Sequence, residues 1–344
     1  MKVSGVMFFS GAALALALFV PPMVRAQRPE TLKVGAIDFF GVHGTDTAPL
    51  LAKLPIHTGQ TVEGAKMHQL LDQIRSVGFA VTGMKVTDVN VVCCDTPNTW
   101  DFYIGLAGRS YRPLVVAAAP TGDVRLPANG LALYQGDMGL LLEAIQHGAA
   151  GENDLKGYAL SKYAPMHKVE LAMREYAVRN TERIEQVLKQ SGDAQQRRAA
   201  ATLLGYGERS AAQVAALSGA MDDADGEVRN NATRALEVLA AAGPLQGLNA
   251  EPLIAMLYSG SWTDRNKVSL LLERLTESHD AALLEALRKQ AMGPLIDGAR
   301  WHSWGHASPF LFVLGRIGNI DETRLAKMVI ASKKDEIIAA AEKQ

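Results

Sequence analysis

The spacing of apolar positions changes along this chain. From Leu32 to Leu106 they form short strand-like runs around helical stretches, and from Leu131 onward they recur at helical spacing among many alanines. Residues 32–41 (LKVGAIDFFG) read as a buried strand closed by Gly41, and residues 47–55 as a short helix stopped by Pro55. Residues 61–78 read as a longer helix with Met67, Leu70, Leu71 and Ile74 on one side and Gly78 at its C-terminal cap. Residues 79–94 predict a strand broken by Gly83. A turn at 96–99 leads to another at 100–108, which alternates Phe102, Ile104 and Leu106 inward. The order strand, helix, helix, strand, strand makes an α+β head. The stretch 117–130, with two prolines and two glycines, parts it from the helical remainder.

The helical half writes one helix twice. In GDAQQRRAAATLLG (192–205), Asp193, Arg197, Ala200 and Leu204 hold the places that Asp225, Arg229, Ala232 and Leu236 hold in DDADGEVRNNATRALEVLA (222–240). In each copy an Asp caps the N-terminus and small or apolar residues bury one face. One such helix pair cannot cover its own apolar stripe, so copies must stack. Weaker echoes follow at 264–275, with Val268 where Arg is expected, and at 307–318, with Ser303 where Asp is expected. Antiparallel partners are predicted at 210–221, 249–260, 280–291 and 321–332, giving four to five helix pairs over 180–342.

The Asp-Arg-Ala-Leu pattern resembles the HEAT repeat, which implies an all-α solenoid over about residues 130–342 and a surface that holds other chains. The head, through Ile37 to Gly41, Leu50 to Leu54, Gly59, and Leu71 followed by Gly78-Phe79, resembles the POTRA domain of bacterial envelope proteins over about residues 30–108. In that family the domain precedes a membrane barrel. The remainder here is helical, so the transporter role does not carry over.

The first residues change the setting. Lys2, an apolar run from Val6 to Val20 and the site Val24-Arg25-Ala26 predict a secretory signal over 1–26. The expected organisation is then a POTRA-like head at 27–118, a linker at 119–130 and a helical body at 131–344. Cleavage removes Lys2 and Arg25 and no acid, leaving a slightly acidic chain with no global pull on nucleic acid or anionic lipid. The expected location is periplasmic or secreted, without stable membrane insertion after cleavage.

Candidate chemistry is sparse, and each motif has a plainer account. Cys93 and Cys94 are adjacent at a strand end, as a vicinal disulfide or as one core and one rim thiol. His302 and His306, four apart between Trp301 and Trp304, are the metal candidates, but no Glu follows the first His and Gly305 and Pro309 interrupt the pattern. Trp301, His302, Trp304 and His306 together read first as packing and second as a partner surface. Residues 41–46 (GVHGTD) fit neither nucleotide loop and read as a turn into a helix capped by Thr45 or Asp46. The acidic run 222–227 lacks a calcium loop's twelfth-position Glu and reads as a solvated turn and cap. In 157–180, Val169, Met173 and Tyr176 read as the core face of a helix rather than a nucleic-acid platform. The chain has no His-Glu dipeptide, so the ligands of the HEAT-like di-iron hydroxylase have no counterpart positions; a pigment-lyase role stays a remote alternative.

No catalytic constellation and no cofactor is expected. The expected function is a non-enzymatic scaffold or adaptor that binds another envelope protein through the solenoid surface and through the sheet edge of the head. The alternative is an enzyme or ligand or redox sensor using the cleft between head and helices.

Overall fold

The computed structural model describes residues 31–93, 99–149 and 151–344. The predicted signal at 1–26 and Cys94 lie outside them. The head consists of β1 (Thr31–Phe40), α1 (Ala48–Leu51), β2 (Thr61–Glu63), α2 (Met67–Thr82), β3 (Val86–Cys93) and β4 (Thr99–Leu106). Its sheet runs β2-β1-β4-β3, with β1 parallel to β4 and the other neighbours antiparallel. One face buries Ile37, Val89, Phe102 and Ile104 against Leu70 and Ile74 of α2. From the opposite face Phe40 and Tyr103 enter the core of the helical body. The alternation of a strand thus commits the sheet to two partners at once.

Two boundaries differ from expectation. Residues 61–63 form an edge strand on β1 rather than the start of a helix, because Leu32 and Val62 meet across the pair and bury together. Helix α2 continues through Phe79–Thr82, predicted as strand, and stops at Gly83, which adopts the left-handed conformation with φ 68°. Gly78 serves another purpose: a β-carbon there would lie 2.4 Å from Val86 Cγ2, so the glycine lets α2 lie close on the sheet.

The body is all helical but for a hairpin. It contains α3 (Gly130–Gln146), the hairpin β5 (Glu152–Asn153) and β6 (Leu160–Ser161), α4 (Ala164–Gln190), α5 (Ala194–Gly205), α6 (Ala211–Gly219) and α7 (Gly226–Ala241). Then come α8 (Ala250–Leu257), α9 (Trp262–Thr276), α10 (Ala281–Gln290), α11 (Met292–Ala299), α12 (Trp304–Ile317), α13 (Glu322–Ile330) and α14 (Lys334–Glu342). Helices α5, α7, α9, α12 and α14 pack in succession as one row. Helices α6, α8, α10 and α13 each lean on a member of that row and touch one another less, which places them on the outer side. Side-chain caps at Asp193, Ser210, Asp225, Asn249, Asp280, Ser303 and Asp321 start seven of these helices. Among the described residues no helix is long and apolar enough to cross a membrane.

The repeat register is also revised. Helix α9 follows Ser261, so its equivalent of Arg197 and Arg229, four residues past the cap position, is Arg265 and not Val268. The first two arginines make matching bonds. Arg197 donates from Nε and Nη2 to Asp223 at 2.7 and 2.8 Å, and from Nη1 to the Ser191 carbonyl at 2.9 Å. Arg229 donates to both oxygens of Asp264 at 3.0 Å and to the Asp223 carbonyl at 2.8 Å. Each arginine therefore ties its own helix start to the next layer. The acidic run 222–227 is accordingly more than a solvated turn, since Asp223 is a buried partner and Asp225 a cap.

Candidate functional site

The third arginine breaks the pattern, and the head enters at the break. Arg265 reaches the equivalent carbonyl, that of Ser259, but through Nε at 2.6 Å rather than Nη1, and its Nη2 reaches the Ser110 carbonyl, also at 2.6 Å, just beyond β4. Its carboxylate counterpart, Asp297 of α11, is taken by the head. Oδ2 of Asp297 accepts from the backbone N–H of Gly41 at 3.0 Å, from that of Val42 at 3.2 Å and from the Ser110 hydroxyl. Ser110 is thus spliced between Arg265 and Asp297. Burial pushes the Asp297 carboxyl up, opposed by the Ser110 hydrogen bond and by the charge of Arg265. Burial likewise lowers Arg265 to about 10.

Around this polar joint lies an aromatic one. Trp301, 1% exposed, packs edge-on to Phe40, Tyr103 and Phe310, with centroids at 6.4, 5.1 and 5.2 Å, and donates Nε1–H to the Phe39 carbonyl at 3.1 Å. Tyr103 also lies 4.9 Å from the Trp262 ring, and its hydroxyl meets His306 Nδ1 at 2.8 Å. The backbone N–H of Trp262 bonds Asp88 of β3 at 3.0 Å. These groups come from β1, β3 and β4 on one side and from α9, α12 and the 300–303 loop on the other.

Beside the joint opens a cleft of about 400 Å³ lined by Asp38, His43, Thr45, Asp297, Arg300 and His302, among others. Asp38, 5% exposed, receives the backbone N–H of His302 at 2.8 Å and its Nδ1 at 2.7 Å, which orients the ring while most of the imidazole faces water. An imidazole so held can exchange a proton at Nε2. The cleft also carries the hydroxyls of Thr45 and Thr47, and Ser303 stands beside His302 in an adjoining pocket, where its hydroxyl accepts the His306 backbone N–H at 3.3 Å.

Asp38 lifts His302 above its ordinary value of about 6.5, against its partial burial and the charge of Lys334. A raised imidazole contributes stability that is complete below the ordinary value and lost as pH rises through the folded-state value. Wild type should unfold at higher temperature than His302→Gln at about pH 6, and the gap should narrow as pH rises through the folded-state value. The margin should stay below about 1 kcal/mol, since the ring is largely in water. Melting curves across that range check this, and a gap that widens with pH would refute it.

The sequence candidates are dispersed. Trp301 is buried against the protein's own head. Trp304 is 53% exposed and donates Nε1–H to the Val329 carbonyl at 3.3 Å. Helix α12 begins after the Ser303 cap, so His302 is outside it and His306 inside. The two imidazoles do not share a helical face: one bonds Asp38 and the other Tyr103. Cys93 ends β3, opposite Trp100 of β4. Asp38, Ser110, Arg265 and Asp297 went unrecognised. Only Arg265 carried a usable signal, its place four residues past a cap position filled by Ser261 rather than Asp. No protein-family model matches the chain, and no curated protein is significantly similar to it.

Proposed function

We propose that this is an exported, non-enzymatic adaptor in which a POTRA-like head is held on a HEAT-like helical stack, so that another envelope protein is held by both. The secretory pattern of residues 1–26 supports export to the periplasm or beyond. The parallel β1/β4 pair with β3 as a flanking hairpin strand supports the POTRA-like reading. The thrice-repeated cap-plus-four arginine supports the HEAT-like one.

The observation that carries the adaptor reading is the position of β3. It is the terminal strand of the sheet: among the described residues its main chain pairs with β4, its start is held to α9 through Asp88, and the sheet behind it is anchored by the buried joint to the body. An edge of this kind accepts a strand from another chain through main-chain bonds. The test is a photo-crosslinking residue at Asn90 of β3 in the exporting cell, with one at the exposed Lys343 as control. A discrete adduct with one envelope protein from Asn90 and none from Lys343 is expected. Absence of any adduct at Asn90 would overturn the proposal.

A further inference from the structure

Helix α3 and the β5–β6 hairpin lie against the inner row. Tyr134 of α3 meets Asn231 of α7 at 3.5 Å, and Gly157 of the hairpin loop approaches Ala242 and Leu239. The contact is ionic where the hairpin crosses the row. Glu152 pairs with Arg234 of α7, and Asp154 pairs with Arg274 of α9 at 3.0 Å. Glu152 and Asp154 are two residues apart, so an extended chain presents both on one side, matching two arginines carried by successive helices.

This internal occupant fits incompletely. Each hairpin strand is two residues long. The two ion pairs remain partly open to solvent, with side-chain exposures between 24 and 37%. Asp137 Oδ1 of α3 and Asn230 Oδ1 of α7 are buried with no hydrogen-bond partner. Lys267 of α9 lies in the field of Arg234, Glu152, Glu237 and Glu227 and forms no ion pair among the described residues. Both arginines are also contacted by Glu237, at 3.8 and 3.3 Å, so neither is left bare if the hairpin lifts, and half-exposed pairs of this kind hold the strap only weakly.

We propose that the inner face of the stack is a docking groove for an extended acidic peptide segment of a partner protein, carrying carboxylates at alternate positions, and that the 152–161 hairpin occupies it as an internal mimic. The incoming acids take Arg234 and Arg274. The inference rests on the adaptor reading and names the chemistry of what the helical surface holds.

The experiment uses the full chain and a fluorescent peptide with its own sequence 149–162. Wild type should bind it weakly, because its hairpin competes at high local concentration. Glu152→Gln/Asp154→Asn, which loosens the strap, should bind at least about tenfold more tightly. That gain should vanish when Arg234→Gln/Arg274→Gln is added, or when the peptide's own two acids are amidated. Equal binding by wild type and the loosened variant, or binding that ignores the arginines, would overturn the proposal. Circular dichroism checks that the variants fold. Hydrogen exchange on wild type decides independently: excess peptide should speed exchange at the amides of Ser161 and Lys162, which now bond Glu170 and Gly151. Unchanged exchange there would also sink it. A partner crosslinked from Asn90 while the peptide fails to bind would leave the adaptor reading standing and remove this inference alone.

Discussion

Asp297→Ala is expected to destabilise the protein by about 3–5 kcal/mol and to release the head from the body. The carboxylate accepts three hydrogen bonds from Gly41, Val42 and Ser110, and its charge faces the buried Arg265. Alanine leaves those donors without an acceptor and a guanidinium, 1% exposed, with only Asp264, itself paired to Arg229, as a neighbouring negative charge. Each unmatched buried donor costs roughly 1–3 kcal/mol, and the poorly compensated cation adds to that. The loss should be local before it is global. Urea unfolding of the variant should split into two transitions, and proteases should cut within residues 107–129, which cross from β4 to α3 without regular helix. Ser110→Ala removes one hydroxyl from the same joint and should cost no more than about 1–2 kcal/mol. If Asp297→Ala unfolds in one transition at the wild-type midpoint, the head is not held through this carboxylate.

Arg229→Ala should be comparably severe, at about 3–5 kcal/mol, for a reason internal to the stack. It strands Asp264, which is fully buried and keeps only the Ser259 hydroxyl, and it unties α7 from the next layer. Taking charged groups out of water is itself costly, so the rung holds register more than it adds net stability. The double variant Arg229→Met/Asp264→Leu should therefore recover most of the loss, because apolar side chains of similar length fill the space without an unpaired charge. Urea midpoints of wild type, single and double variants form the check. A double variant as unstable as Arg229→Ala would mean that the hydrogen bonds themselves, rather than the stranded acid, carry the cost.

The helical half was legible where its signals are local. A cap such as Asp193 or Asp225 works through bonds to amides two and three residues on, so a short window of sequence contains the whole interaction. The same window explains the third copy's misreading. Ser261 in place of Asp hid the start of α9, and the register slipped by three residues until the position of Arg265 restored it. In the head, residues 79–82 carry Phe and Val and read as strand, yet they extend α2. Gly83 can take the left-handed stop at no steric cost, whereas Gly78 is needed small to lie against Val86.

The candidate site was barely legible, because it is made across long gaps in the chain. Asp38 meets His302, Asp88 meets Trp262, and Ser110 joins Arg265 to Asp297. None of these residues stands at a spacing that advertises a partner, and each alone is an ordinary polar residue. The adjacent Trp301, His302, Trp304 and His306 looked like one cluster in sequence, but a helix start at Ser303 sends them to different neighbours.

By itself, then, the sequence determined most of the helices and that they must stack, since caps and apolar periodicity act within a few residues, while the ends of α2 and α9 and the short strand at 61–63 escaped it. Only the tertiary structure decided that the head shares a core with the stack, that its loop completes the third arginine rung, and that the chain lays an acidic hairpin against its own inner row. Those outcomes depend on burying opposite charges and apolar faces that meet only once the chain has folded, and spacing along the sequence carries no record of such meetings.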